Sequence, residues 1–347
     1  MHTQLTMRHR TAFERFAPTI LEVYHRDREA FWAAVMAPFL ADHVSIFSQL
    51  RHLKVDLGLL AAFRGLDAEA RQTLKDFSDR FGVDVSQWKS NRMQYFKDAY
   101  PIFAFLAVWM DEEGLTELVG RFSDILRAGV FAVAGYGILD ENVDSNRPSP
   151  VEILVAQSLI AEYESLAIEI FGMTSVNLDI MRRMRSLFLE AEIREKAMRW
   201  KASHYRLDDP KQLGAKGANS VTPFMLSLER LGKASLIDAY WEVFLLFGAA
   251  IQMIDDWKDL EGDLAIGHYS YVTLGFEDVI HTKGAAKTAR MLRKNQKRVR
   301  ETYATSKDMI ALSRVVLDRL DDRFLVRLVD ITELRLDNYF RRDLKMT

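Results

Sequence analysis

The chain has 347 residues, with 47 lysines and arginines against 49 aspartates and glutamates, so its formal net charge is −2. This balance lacks the basic excess that nucleic-acid binding requires, so a nucleic-acid partner is not expected. Cysteine is absent, which excludes disulfide frameworks, thiolate zinc sites and cysteine nucleophiles, and fits a reducing compartment.

The N-terminal segment MHTQLTMRHR is polar and basic and has no apolar stretch behind it. A secretory signal peptide is therefore not expected, and we predict a cytoplasmic location. The longest apolar stretches fall short of the roughly 18 residues that cross a bilayer. They are predicted to be buried core helices, so no transmembrane segment is expected.

The spacing of apolar residues predicts helices along most of the chain. The 7 prolines and 17 glycines are fewer than average, so turns are few and elements are long. The segment from Val151 to Phe171 is typical, because its apolar residues recur at spacings of three and four. We therefore predict an all-α protein with a single domain over residues 1–347 and a motif-bearing core at about 120–345.

Proline and glycine place some of the helix ends. The run Arg147-Pro148-Ser149-Pro150 is predicted to end one helix and begin the next, because proline is tolerated in a first turn but not in a helix interior. Gly262 and Gly267 are predicted to flank the end of a later helix.

An acidic segment follows the apolar run VFAVAGYGIL and reads Asp140-Glu141-Asn142-Val143-Asp144. Asp140 and Asp144 are four residues apart and are therefore predicted to lie on one helix face. Like charges at this spacing destabilise an isolated helix by about a few tenths of a kcal/mol. The pair is locally unfavourable unless a cation compensates.

A second acidic segment, DDWKDLEGD, follows the apolar run VFLLFGAAIQMI and begins at Asp255. The spacing predicts that Asp255, Asp259 and Asp263 share a helix face. In both segments an apolar helix is predicted to pass through the core and to present carboxylates at its end. Partial burial there would favour a positive partner.

Two interpretations of the acidic segments remain open at this point. Each could be a solvated helix end, which is the usual role of clustered surface charges. Alternatively, the repetition of one design favours a Mg²⁺ site, because Mg²⁺ is usually held by one or two carboxylates while substrate phosphates complete its coordination. The second interpretation predicts a diphosphate substrate.

The segment LDENVD resembles the first aspartate-rich motif, DDxxD, of the class I isoprenoid synthase superfamily, with Glu141 replacing the second aspartate. The segment AIQMIDDWKDLEGD resembles the second motif of trans-prenyl diphosphate synthases, in which a glutamine stands three residues before an intact DDxxD. The resemblance extends from about Ala128 to Val272. It includes Lys216 in AKGANSVTPFM, which is similar to the lysine-bearing stretch upstream of the family's second motif.

The resemblance implies an α-helical barrel or bundle with a deep apolar pocket, its mouth lined by both motifs, and three Mg²⁺ ions that hold an allylic diphosphate. The metal ligands that it implies are Asp140, Asp144, Asp255, Asp259 and Asp263. Asp256 is implied in catalysis with the other motif aspartates.

The same resemblance implies that basic side chains contact the diphosphate oxygens. The candidates for this role are Lys216, Arg147, Lys258 and Arg341. The first three lie in or beside the motif-bearing segments, whereas Arg341 belongs to the C-terminal segment NYFRR.

Departures from the family pattern distinguish among its activities. Chain-elongating members carry a Gly-Lys-Arg segment near the N-terminus and paired arginines after the first motif. Here the Gly-Lys-Arg segment is missing, and only the single Arg147 follows the first motif. After the second motif, Gly267-His268 stands where the family has Gly-Lys. The sequence therefore favours a terpene cyclase that ionises one linear C15 or C20 prenyl diphosphate.

Two alternatives remain. A prenyltransferase, either a trans-prenyl diphosphate synthase or an enzyme with another acceptor, would carry the same aspartates. A non-catalytic synthase-like partner subunit belongs to another class, and the retained repelling carboxylates argue against it. Assembly as a homodimer is compatible with the sequence. His268 shows no metal-ligand spacing and is interpreted as an ordinary polar residue.

Overall fold

A computed structural model of the chain describes residues 11–32, 57–82, 94–144, 148–198 and 210–344. Its regular elements are α-helices and short 3₁₀ segments, and these ranges contain no β-strand. The predicted all-α fold is confirmed.

The chain divides into two compact units. The first comprises Met1–Met181 and Thr222–Ala234, and the second comprises Arg182–Val221 and Ser235–Thr347. The chain thus passes between the units three times, so each unit is built from separated stretches of sequence. The prediction of a single domain over the whole chain stays a prediction.

The first unit is built from helices that span most of its described length. In chain order they are α1 (Ala12–Arg26), α2 (Leu57–Asp79), α3 (Gln94–Glu112), α4 (Thr116–Gly120), α5 (Phe122–Asp144), α6 (Pro150–Phe171), the first part of α7 (Ser175–Met198), and α8 (Thr222–Arg230). Helix α1 packs on α2, α3 and α5, and α5 packs along α6.

Local sequence sets the boundary between α5 and α6 as predicted. Helix α5 ends at Asp144, and α6 begins at Pro150, whose missing N–H would have no partner in a first turn. The Ser149 side chain caps α6 by accepting a hydrogen bond from the Glu152 backbone N–H. Gly172 follows the last turn with φ of 95°, a conformation that favours glycine.

Close packing of α5 on α6 depends on Gly135. A Cβ at this position would lie 2.8 Å from Ile160 Cγ1 and 3.1 Å from the Ala156 carbonyl oxygen. Because both neighbours belong to α6, any larger residue would push the helices apart. This packing fixes the direction of the helix that carries the first acidic segment.

The second unit is built around one long helix. Its elements are the rest of α7, a 3₁₀ segment at Pro210–Val221, most of a short 3₁₀ turn at Ala234–Leu236, α9 (Ile237–Ala265), a 3₁₀ turn at Tyr271–Thr273, α10 (Glu277–Lys283), α11 (Ala285–Lys294), α12 (Gln296–Leu320) and α13 (Arg323–Leu344). Helix α9 contacts the Pro210–Val221 segment, α11, α12 and α13. It therefore forms the centre of this unit.

Two described stretches are long and apolar enough to cross a membrane by length and composition alone. They are Phe122–Val143 and Ala234–Ala265. In the most apolar 18 residues of each, 67% and 39% respectively are buried. Core helices of water-soluble proteins meet the same criterion. The prediction that the chain has no transmembrane segment stays a prediction.

Candidate functional site

Helix α9 carries the second acidic segment on its last three turns. Its inner stripe is formed by residues three or four positions apart: Met253, Asp256, Trp257, Leu260 and Leu264 are all buried. Asp263 lies seven residues after Asp256 and is therefore on nearly the same face. Asp259 is exposed, and Asp255 is partly exposed. The aspartates that face inward are thus Asp256 and Asp263.

Asp256 is a buried carboxylate with one unused oxygen. Its Oδ1 accepts a hydrogen bond of 2.8 Å from Gln252 Nε2, whereas no described donor reaches its buried Oδ2. Burial raises the pKa of Asp256 from 3.8 to about 7, against the opposing effect of the Gln252 hydrogen bond. The free oxygen therefore favours a partner that brings positive charge or a proton.

His268 lies between two carboxylates directly after α9. Its Nε2 is 2.9 Å from Glu195 Oε1, and its Nδ1 is 3.7 Å from Asp263 Oδ1. Burial alone would lower the pKa of His268, but the neighbouring carboxylates of Asp263 and Glu195 raise it to about 10. At neutral pH the ring is therefore an imidazolium, and its interpretation as an ordinary polar residue is incomplete.

The backbone places His268 by turning sharply at Gly267. Helix α9 ends at Ala265, as the flanking glycines predicted, and Gly267 has φ of 73°. The His268 N–H then donates a 2.8 Å hydrogen bond to the Asp263 carbonyl oxygen. The chain folds back over the end of the helix, which brings the imidazole beside the Asp263 side chain.

Lys216, the predicted diphosphate contact, lies beside two carboxylates of α7. Its Nζ is 3.0 Å from Glu195 Oε2 and 3.7 Å from Glu192 Oε1. Burial alone would raise the pKa of Glu195, but the hydrogen bond from His268 and the charge of Lys216 lower it to about 2. Glu195 is therefore ionised at any physiological pH and holds two cations.

Two glycines fix the path of the lysine-bearing segment. A Cβ on Gly214 would lie 2.0 Å from the Leu245 carbonyl oxygen of α9, and a Cβ on Gly248 would lie 3.0 Å from Gly214 Cα. Both positions need glycine because the Pro210–Val221 segment crosses α9 in backbone contact. Lys216 follows two residues later and is held by this crossing.

Two arginines contact the outer side of the second acidic segment. Arg335 Nη2 of α13 is 3.8 Å from Asp255 Oδ1. Arg293 Nη2 of α11 donates to the carbonyl oxygens of Trp257, at 2.8 Å, and Lys258, at 3.1 Å. The acidic end of α9 is thus surrounded by cations on several sides.

Two of the remaining predicted diphosphate contacts belong to the described residues, and the third does not. The Lys258 side chain is half-buried, and Arg341 is exposed near the end of α13. Arg147 lies outside the described residues. Their proposed roles stay predictions.

The first acidic segment has a different environment within its own unit. Asp140 is half-buried, with Oδ1 shielded from solvent, and Asp144 ends α5 with a side chain that is outside the described set. Asn142 is buried and accepts a 2.7 Å bond from the Ser149 backbone N–H while its Nδ2 donates to the Ile138 carbonyl oxygen at 2.9 Å. Asn142 therefore shapes the turn into α6.

The donor chemistry fits Mg²⁺ only in part. Asp256 and Asp263 supply carboxylate oxygens, which hard cations prefer as ligands. Asp256 Oδ2, which accepts no described hydrogen bond, is suited to bind such a cation. However, no three carboxylate or imidazole side chains in the described part of the chain converge as a metal-binding group. One or two carboxylates per ion suffice when phosphates supply the other ligands, so the Mg²⁺ prediction stays open.

The sequence interpretation missed Glu192, Glu195 and the role of His268. The acidic side chains of α7 lie in an ordinary amphipathic helix, and nothing in their spacing marks them. A signal for His268 did exist, because Gly267 and His268 directly follow the end of the motif helix.

No family model, curated protein or solved structure matches this chain. The resemblance to class I isoprenoid synthases therefore rests on the two acidic segments and on the segment around Lys216. The structure adds that Lys216 and the end of the second acidic segment belong to one ionic network.

Proposed function

We propose that the protein is a Mg²⁺-dependent class I terpene synthase that ionises a linear C15 or C20 prenyl diphosphate, cyclises or quenches the carbocation and releases diphosphate. The observation that carries the proposal is the site at the end of α9. There a buried carboxylate oxygen of Asp256 has no donor among the described residues, and two cations, Lys216 and His268, lie in the same network.

The charges of this site suit a metal-bound diphosphate. When bound, Mg²⁺ would supply positive charge that stabilises the departing diphosphate. Asp256 and Asp263 are the residues of the network that would hold it, and Asp255 and Asp259 could complete the set from the outer face. Lys216 would donate hydrogen bonds to diphosphate oxygens, and charge-assisted bonds of this kind are about twice as strong as neutral ones.

The helix that leads to this site supplies apolar surface for a prenyl chain. The side chains of Leu245, Phe247 and Ile251 on α9 are half-buried, although they are strongly apolar. A pocket lined by such groups excludes water and delays quenching of an allylic cation. This exposure supports an isoprenoid substrate over a purely polar diphosphate.

The cyclase is preferred over chain elongation because a second diphosphate site lacks support. Only the single Arg147 follows the first motif, and it is outside the described residues. His268, which replaces the expected lysine, is engaged with Glu195 and Asp263. A prenyltransferase remains the alternative, and a non-catalytic partner subunit is the alternative of another class.

The test is incubation of the purified protein with geranyl, farnesyl and geranylgeranyl diphosphate, with Mg²⁺ or with EDTA. We expect Mg²⁺-dependent release of diphosphate and a hydrocarbon or alcohol in a hexane extract. A parallel reaction with added isopentenyl diphosphate separates the alternatives, because longer prenyl diphosphates would identify an elongating prenyltransferase. Absence of diphosphate release from all three substrates would favour the non-catalytic subunit.

A further inference from the structure

The Glu195 carboxylate contacts both cations of the site. Its Oε2 lies 3.0 Å from Lys216 Nζ, and its Oε1 lies 2.9 Å from His268 Nε2. Lys216 belongs to the Pro210–Val221 segment, whereas His268 follows α9. A single side chain of α7 therefore connects two segments that are far apart in sequence.

The connection continues to the acidic segment through the imidazole. His268 Nδ1 faces Asp263 Oδ1 at 3.7 Å, and the Asp263 carbonyl oxygen accepts the His268 N–H. A hydrogen-bonded partner beyond the first ligand commonly fixes the orientation of a metal-binding side chain. In this arrangement Glu195 acts on Asp263 through His268 and acts on Lys216 directly.

The three side chains that form this connection are largely buried. The exposed fractions of the Glu195, Lys216 and His268 side chains are 15%, 20% and 12%. Charges that are shielded from water interact more strongly and are less screened by salt. Without the Glu195 carboxylate, Lys216 and His268 would both lose a close carboxylate contact, and the distances to Glu192 and to Asp263 that remain are each 3.7 Å.

We infer that Glu195 is a positioning residue that holds Lys216 and, through His268, Asp263 in the arrangement that receives a Mg²⁺-bound diphosphate. The inference rests on the proposed function, which names the ligand of the site. Neither acidic motif contains Glu195, and it reaches the site only because α7 lies beside the Pro210–Val221 segment and the end of α9.

The test measures binding of pyrophosphate with Mg²⁺ to the full chain by calorimetry. Three variants are compared with wild type: Glu195→Gln removes the charge, Glu195→Asp keeps it on a shorter side chain, and Glu190→Gln makes the same change at an exposed position of the same helix. Circular dichroism reports whether each variant keeps its helical content.

Glu195→Gln is expected to weaken pyrophosphate binding about tenfold or more, the range found for residues that orient metal ligands. Glu195→Asp is expected to show a smaller loss, because the charge is kept but cannot reach both cations. Glu190→Gln should bind as wild type does. With a prenyl diphosphate, Glu195→Gln should raise KM more than it lowers kcat, since the residue acts on binding geometry.

Wild-type affinity in a folded Glu195→Gln variant would overturn the inference. If that variant loses helical content, Glu195→Asp decides, and wild-type affinity in the folded aspartate variant would overturn it equally. If wild type binds Mg²⁺ and pyrophosphate but turns over no prenyl diphosphate, the proposed function fails while the Glu195 result still decides this inference. Absence of binding to wild type would overturn both.

Discussion

The two acidic segments end two apolar helices, yet their surroundings differ. Around the first, Asn142 uses its amide to shape the backbone turn between α5 and α6. Around the second, the acidic helix end is contacted by His268, Arg293 and Arg335. Lys216 is connected to it through Glu195 and His268. Similar motifs in sequence can therefore have different local partners, and substitutions of these partners should affect stability differently at the two ends.

The largest expected effect is loss of turnover when either segment loses its first aspartate. Asp140→Asn and Asp255→Asn should each lower kcat about 100-fold or more, because the family resemblance implies that each carboxylate is a Mg²⁺ ligand. Asp318→Asn, an exposed aspartate of α12, is the matched control. Steady-state diphosphate release measures the effect, and near-wild-type activity would remove that aspartate from the metal site.

A structural role should appear more strongly in the first segment. Asn142→Ala is expected to lower the free energy of unfolding by about 2 kcal/mol, because it leaves the partly buried Ser149 N–H without its acceptor and removes the amide bond to the Ile138 carbonyl oxygen. Urea denaturation measures this change. An unchanged midpoint would mean that the turn between α5 and α6 does not depend on Asn142.

The cation network of the second segment predicts a pH dependence. The pKa of His268 is about 10 in the folded protein against 6.5 ordinarily. The imidazolium therefore stabilises the folded protein fully below pH 6.5, and this stabilisation is lost as pH rises towards 10. His268→Gln should therefore cost about 1–2 kcal/mol at pH 6 and clearly less at pH 10. Equal losses at both pH values, measured by urea denaturation, would show that the imidazole is not held as a cation.

Substitution of Asp256 should have a smaller effect on the free energy of unfolding, and of opposite sign. Its folded-state pKa of about 7 exceeds the ordinary 3.8, so the metal-free protein loses stability as pH rises from about 4 to 7. Asp256→Asn should therefore raise the free energy of unfolding relative to wild type, and this gain should be about 1 kcal/mol larger at pH 8 than at pH 5. A stabilisation that is larger at pH 5 would contradict a buried carboxylate that ionises at a cost.

The fold class and several helix ends followed from the sequence because they depend on local chemistry. Pro148, Ser149 and Pro150 separate α5 from α6, and Gly267 lies just beyond the end of α9. These positions are set by backbone dihedral preferences and by capping, which act over a few residues.

The inner face of α9 was predicted incompletely. The charge spacing suggested that Asp255, Asp259 and Asp263 act together, whereas the buried stripe includes Asp256. The apolar residues Met253, Trp257, Leu260 and Leu264 mark this stripe in the sequence, and Asp256 falls within it. Following the apolar spacing past the first aspartate would have identified the inward carboxylate.

The ionic network could not be predicted from the sequence, because it depends on tertiary packing. Glu195 and His268 are 73 positions apart and meet only where α7 lies beside the end of α9. No short-range pattern encodes that contact. The Gly214 crossing over α9, which places Lys216, depends equally on long-range packing.

The most direct test of the central claim, that the network at the end of α9 binds a metal-bound diphosphate, is amide hydrogen exchange with Mg²⁺, with pyrophosphate, with both or with neither. We predict slower exchange in residues 210–217 and 262–271 when both are present and much less with either alone, because metal and diphosphate complete each other's coordination. Unchanged exchange in both segments with Mg²⁺ and pyrophosphate together would contradict the claim.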